Sequence, residues 1–95
     1  MTTHRRRFLR TAAALAEYDR SAPKLQTQWA AVENPDQLAA AQQAEQQIKN
    51  KIRDAFYQDT KRYNSRENCQ LTSIEWLRKI VAGDQLLYDN SRSRR

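Results

Sequence analysis

The sequence predicts a small all-α protein, a helical bundle built on a long antiparallel helical hairpin plus a C-terminal helix. The first observation is the scarcity of turn formers, because the 95 residues include one glycine and two prolines. Tight β-hairpins need glycine at positive φ, so this chain has few places to turn between strands. The second is the abundance of alanine, glutamine, glutamate, leucine, lysine and arginine, which are strong helix formers.

The first arm of the hairpin is predicted to be kinked and to contain two helical stretches, about 3–20 and 23–33. Apolar residues recur at spacings of three and four in the first stretch, as on one face of a helix. Pro23 has no backbone N–H and clashes with the preceding turn, so we expect a break or kink at 21–23. The second stretch places three apolar side chains on one face: Leu25, Trp29 and Val32.

The clearest local signal marks the start of the second arm. Asn34 can cap a helix, Pro35 suits its first position, and Gln37 stands at capping-box spacing. The helix that follows is predicted over about 35–64, and at 1.5 Å per residue it would be roughly 45 Å long. A helix of that length needs an antiparallel neighbour. Its apolar stripe contains Leu38, Ala41, Glu45, Ile48, Ile52, Phe56, Asp59 and Tyr63.

The predicted core comes from both arms and consists of Trp29, Ile48, Ile52 and Phe56. Glu45 and Asp59 interrupt the apolar stripe, and their simplest role is to reach basic residues on a neighbouring element. Thr72 or Ser73 is expected to cap the last helix. Gly83 is expected either to end that helix or to cause a mild irregularity in it.

The net charge of +6 resides at the two ends of the chain. Residues 11–91 contain ten basic and eleven acidic residues, whereas residues 1–10 and 92–95 contain no acid. We treat 1–90 as a single helical domain with a basic N-terminal end, and 91–95 as a basic disordered tail. One interpretation is that the charged ends only keep a small protein in solution. The terminal basic residues are Arg5, Arg6, Arg7, Arg10, Arg92, Arg94 and Arg95.

Two functional hypotheses follow from the composition. Hydrophobic residues make up 39% of the chain, and 13 of the 95 residues are alanine, so the core is thin and a partner or self-association could complete it. The first hypothesis is a non-enzymatic interaction or adaptor protein that docks onto a protein partner or onto itself through Tyr57 and Trp76. The alternative is a small nucleic-acid-associated protein whose basic termini contact phosphates.

Catalytic and metal-binding signals are not visible in the sequence. His4 is the one histidine and Cys69 the one cysteine, so no nucleophile–base pair, zinc spacing or cofactor motif is expected. A cytoplasmic location is expected because a single cysteine forms no intrachain disulfide, and no apolar run approaches the ~18 residues of a membrane span. The residues from Arg5 onwards resemble a twin-arginine export signal. Glu17 interrupts the apolar region that such a signal needs, so export is not expected.

Overall fold

The computed structural model describes residues 4–61 and 73–93, which form three helices. These are α1 (Leu9–Ala30), α2 (Pro35–Thr60) and α3 (Ile74–Ser93). α1 packs along α2, and α3 packs on α1. Cross-links between the arms run antiparallel, since Thr11 contacts Asp59 and Glu17 contacts Lys51. The predicted all-α bundle built on a helical hairpin is confirmed.

α1 is one continuous helix, so the interruption expected at 21–23 was wrong. Pro23 lies inside α1 and costs one backbone hydrogen bond, to the carbonyl of Asp19. The fixed φ of proline is itself compatible with a helix. Packing against α2 on both sides of Pro23 therefore outweighs the single lost bond. The Pro23 carbonyl also accepts a hydrogen bond of 3.0 Å from the Thr27 hydroxyl.

α1 also begins later than predicted, at Leu9 rather than near residue 4. Residues 4–8 are not helical, because their backbone and side chains bond to α3 instead. The N-cap residue Phe8 supplies no side-chain acceptor, and the first turn contains no acid. The hydrogen-bond acceptors for the N-terminal end of α1 come instead from side chains of the other two helices.

The start of α2 confirms the predicted cap. The Asn34 side-chain oxygen accepts from the Gln37 amide at 2.9 Å. The Gln37 side chain in turn accepts from the Glu33 amide at 2.7 Å, one residue before the cap. α2 ends at Thr60, earlier than the predicted residue 64, and Lys61 adopts the left-handed conformation with φ of 47°.

α3 begins after Ser73, whose hydroxyl accepts from the Trp76 amide at 3.3 Å; the other candidate cap, Thr72, lies outside the described residues. Gly83 neither ends nor interrupts the helix. α3 continues to Ser93, so residues 91–93 are helical where the sequence predicted a disordered tail. None of the helices in the described ranges is long and apolar enough to span a membrane.

The molecule is elongated and one helix layer thick. Its principal extents are 59 × 30 × 15 Å and its radius of gyration is 16.5 Å, against about 12 Å for a compact domain of this length. A single helix with its side chains is about 10 Å across, so a depth of 15 Å leaves little space for a second layer. The buried apolar side chains of the described chain are accordingly few: Leu15, Ala41, Ile52, Phe56 and Leu77.

Half of the predicted core is confirmed. Ile52 and Phe56 are buried, whereas Ile48 is only half-buried. Trp29 was wrongly placed in the core, since it is 36% exposed. Its indole N–H donates to the Glu45 carboxylate at 3.0 Å, at the edge of the layer. A polar N–H that seeks an acceptor and a fold without a second layer together place this ring at the surface.

Gly83 is expected to lower stability relative to alanine. A Cβ added at Gly83 would meet nothing within 4 Å, and the residue lies inside α3. We expect Gly83→Ala to raise the free energy of unfolding by about 0.5–1 kcal/mol, because glycine loses more backbone entropy in a helix. Urea denaturation followed by helical circular dichroism measures this. A loss of stability would show that the Cβ is not accommodated.

Candidate interaction surfaces

Residues 4–8 form a non-helical segment with a bend at Arg7, here named the N-terminal strap, that lies along α3. Exposure alternates along it: His4, Arg6 and Phe8 are partly buried, while Arg5 and Arg7 are exposed. At the inner end, the Phe8 ring stacks on Phe56 with ring centroids 6.2 Å apart. The strap thus has an inner face turned to the bundle and an outer face that presents arginines.

Asp84 of α3 is the anchor of the strap. Its carboxylate accepts from the backbone amides of Arg7, at 3.0 and 3.1 Å, and Phe8, at 3.3 Å. The His4 Nε2 atom lies 2.8 Å from one carboxylate oxygen, and the Arg6 Nε atom lies 3.8 Å from the other. The residue is only 5% exposed. Every strap residue except Arg5 therefore contacts one buried carboxylate.

The electrostatics of Asp84 favour the ionised form. Burial by itself raises the pKa of the Asp84 carboxyl. The hydrogen bonds from the His4 ring and from the amides of Arg7 and Phe8, with the charge of His4, act in the opposite direction and outweigh it. The net effect is a pKa below the ordinary value of 3.8, so Asp84 anchors the strap as a carboxylate.

His4, Asp84 and Ser91 lie close together but do not form a nucleophilic triad. Such a triad needs the serine hydroxyl on the imidazole, so that the ring can take its proton. Here the Ser91 hydroxyl oxygen accepts from the His4 backbone amide at 2.6 Å. The contact instead ties the strap to the last turn of α3, and the arrangement is one of structural anchoring.

A second carboxylate, Asp59 of α2, holds the start of α1. One of its oxygens accepts from both the amide and the hydroxyl of Thr11, each at 2.7 Å. Thr11 is fully buried and lies in the first turn of α1, where an unsatisfied amide and the positive helix end both favour an anion. The sequence predicted that Asp59 and Glu45 would reach basic residues, and for Asp59 the partner is a threonine instead.

Glu45 shows the same pattern at the other end of the hairpin. It accepts from the Trp29 indole, and its basic partner is Lys49 of its own helix, at 2.9 Å. Its partner on the neighbouring element is therefore an indole, not the basic residue that was predicted. Within the described residues, ion pairs that join two helices include Lys51–Glu17 and the exposed Arg78–Asp19 pair. The Arg78 hydrogen bond lowers the pKa of Asp19.

The seven arginines that were predicted to bind phosphate differ in their surroundings. Arg5 and Arg7 lie on the outer face of the strap, whereas Arg6 faces Asp84. Arg10 turns towards α2 and lies 3.4 Å from the Gln58 oxygen. Arg92 lies over the Tyr88 ring, 5.7 Å from its centroid. Two further members of the set, Arg94 and Arg95, fall outside the described residues.

The two basic ends meet in space, which residue spacing could not reveal. The 2.6 Å bond between His4 and Ser91 places the start of the strap beside the residue that precedes Arg92. Arg5, Arg7 and Arg92 are all exposed. We name these three arginines the basic end of the molecule.

α3 carries a second apolar stripe, which the described chain covers only in part. Trp76, Ile80, Gly83 and Leu87 recur at spacings of four, three and four, which places them on one face of the helix. Trp76 is 48% exposed and Leu87 is 57% exposed. The buried residues Leu77 and Asp84 lie on a different face, turned towards α1. We name the four residues the α3 stripe.

The two predicted partner-binding residues differ in their positions. Trp76 belongs to the α3 stripe and touches Phe56 edge-on, with ring centroids 6.1 Å apart and an interplanar angle of 68°. Tyr57 is half-buried and packs against the core cluster, which contains Leu15, Ile52, Phe56 and Leu77. Trp76 is thus the more exposed of the two.

Nothing in the described ranges suggests a metal centre, because residues 4–61 and 73–93 contain no group of three or more His, Cys, Asp or Glu side chains that could hold an ion. Relatives offer no further guide. Comparison of the chain with protein-family models, with curated proteins and with solved structures gave no match. The α3 stripe and the basic end are therefore the two candidate interaction surfaces of the described chain.

Proposed function

We propose that this chain is a non-enzymatic docking protein whose α3 stripe receives an amphipathic helix of a partner protein. The observation that supports this is the spacing of Trp76, Ile80, Gly83 and Leu87, since alternate steps of four and three form the seam by which two helices pack. Cytoplasmic residence belongs to the same proposal and rests on the single cysteine.

The exposed area of the stripe supports a docking role. Monomeric proteins scatter single apolar residues over their surfaces, but a contiguous row is uncommon unless something covers it. Trp76 and Leu87 mark the two ends of the row and lie eleven residues apart, about 16 Å at 1.5 Å per residue. Tryptophan is also the residue type most enriched at binding hot spots. Each feature suits a helix laid along α3.

Gly83 lies within this row and supports close approach of the partner helix. The space above it is open, since a side-chain methyl at this position would have no neighbour within 4 Å. A glycine at this point lets another backbone come near α3. It does so at a cost in helix stability, for which the isolated chain shows no compensating contact among its described residues.

Two neighbouring leucines of α3 allow a matched test. Leu86 and Leu87 are almost equally exposed, at 60% and 57%, but lie about 100° apart around the helix, and only Leu87 belongs to the stripe. Tagged wild-type, Leu87→Glu and Leu86→Glu proteins would be used to capture partners from lysate of the source cells. We expect Leu87→Glu to lose at least tenfold of the captured partner, and Leu86→Glu to retain it.

Sedimentation of the purified proteins completes this experiment. A wild-type dimer that Leu87→Glu dissociates and Leu86→Glu preserves would show a second copy of the chain on the stripe, and would overturn the separate partner. Equal capture by both variants would overturn the docking role of the stripe. A monomer with variant-specific capture supports the proposal.

A further inference from the structure

The basic end has not been used by the proposed docking function, and its geometry points to a second kind of ligand. We propose that Arg5, Arg7 and Arg92 form one binding site for the phosphate backbone of duplex DNA, held in shape by Asp84. The site involves other side chains than the α3 stripe and takes a different probe, so either proposal can fail alone.

The anchoring of the strap distinguishes this site from a loose charged tail. Asp84 accepts from the amides of Arg7 and Phe8 and contacts the His4 ring. His4 and Arg6 turn towards Asp84, whereas Arg5 and Arg7 are exposed, so the two free guanidinium groups leave the strap on its outer side. Because these backbone positions are fixed before any ligand arrives, binding costs less ordering entropy.

The use of arginine rather than lysine at the two ends favours phosphate as the ligand. All seven terminal basic residues are arginine, although five of the ten basic residues in 11–91 are lysine. The planar guanidinium matches a phosphate in a two-point hydrogen bond, which a lysine ammonium does not. Asp89 is the one acid in the last two turns of α3, and it accepts from Gln85 at 2.8 Å. Together with Arg6, the three arginines outnumber the two nearby carboxylates, Asp84 and Asp89, so this end of the molecule keeps a net positive charge.

The aromatic residues at this end favour a duplex over a single strand. Single-stranded nucleic acid is usually held by aromatic rings on which bases stack. Phe8 is partly buried against Phe56, and Tyr88 has Arg92 over its ring. The exposed cations that this end presents are arginines, whose contacts suit a phosphate backbone and carry no sequence information.

The test is fluorescence anisotropy with a short labelled DNA duplex at several salt concentrations. Three phosphate contacts predict roughly 40-fold weaker binding between 50 and 200 mM salt. Arg5→Gln with Arg7→Gln should reduce the steepness of the log–log salt dependence by about two units. The matched control, Arg20→Gln with Lys24→Gln, removes the same charge from exposed positions of α1 far from the strap, and it should leave the dependence unchanged.

Asp84→Asn separates a built site from general attraction. It makes the protein more positive by one unit, so attraction by net charge alone predicts tighter binding. If the carboxylate positions the strap, binding becomes at least threefold weaker while circular dichroism still shows a helical fold. Tighter binding by this variant would overturn the positioning role of Asp84.

The remaining outcomes are decisive as well. Equal losses in the strap variant and the α1 control would overturn the site. Preference for a single strand over the duplex would overturn the choice of ligand. Binding to phosphatidylserine vesicles with the same variant pattern, and none to the duplex, would assign the basic end to a lipid surface instead.

Discussion

Asp84→Ala is expected to lower the free energy of unfolding by about 3–5 kcal/mol, the range for removing one partner of a buried charged network. The carboxylate satisfies the amides of Arg7 and Phe8 and contacts His4. Alanine leaves those donors without an acceptor in a place that water reaches poorly. The strap is therefore expected to detach from α3.

Amide hydrogen exchange and urea denaturation measure the two parts of this effect. Exchange at Arg7 and Phe8 should become fast in the variant, and the unfolding midpoint should fall. Asp89→Ala is the control, an exposed acid of the same helix, with an expected change within about 0.5 kcal/mol. Protected amides at Arg7 and Phe8 in Asp84→Ala would show that the carboxylate does not hold the strap.

Acid pH should reproduce part of the same loss in the wild type. The pKa of Asp84 is lower in the folded than in the unfolded protein, where it is near 3.8. Its contribution is thus fully present above about pH 4 and disappears as pH falls through the folded pKa. The stability difference between wild type and Asp84→Ala should shrink over that window, and a constant difference down to the lowest pH would contradict it.

Phe56→Ala is the second substitution with a large expected effect, about 3–5 kcal/mol. Phe56 joins three parts of the molecule, since it stacks on Phe8 of the strap, touches Trp76 of α3 and is itself buried in α2. A protein of this length has roughly 5–14 kcal/mol of stability, and a one-layer core places it towards the lower limit. The variant should retain only about 0–2 kcal/mol and unfold at low urea concentration.

Leu38→Ala provides the comparison for Phe56→Ala on the same helix. Leu38 is 38% exposed, so its loss should cost less than about 1 kcal/mol. Circular dichroism during urea denaturation measures both. Equal losses at the two positions would mean that stability is spread along the hairpin rather than centred on Phe56.

Local sequence signals predicted the ends of helices well where a side chain bonds to its own neighbours. Asn34 and Ser73 cap as expected, because each cap is a bond within three residues. Pro23 misled the prediction, because its local cost competes with packing along α2, which local signals do not contain. The prediction that Trp29 lies in the core was wrong for a similar reason. A helical period of 3.6 assigns a residue to one face of the helix but does not show how far a neighbouring helix covers that face.

The candidate sites were predicted only in part. Residue type suggested Trp76 and position suggested the terminal arginines, and in the structure Trp76, Arg5, Arg7 and Arg92 are exposed. The anchor, Asp84, was missed, because its contacts lie 76–80 residues away along the chain. The sequence could not separate the two sides of the strap, because Arg5, Arg6 and Arg7 are the same residue type and alternate only in exposure.

The separation between the strap and its anchor also sets the order in which the molecule folds. The arms of the hairpin meet through short connections, whereas Arg7 must find a residue 77 positions later. Contacts this distant in sequence form late, because the loop between them has to be closed first. The α1–α2 pair can therefore assemble while α3 is still unformed. The strap stays unattached until α3 is in place. We therefore expect docking of the strap to be a late step of folding and its release an early step of unfolding.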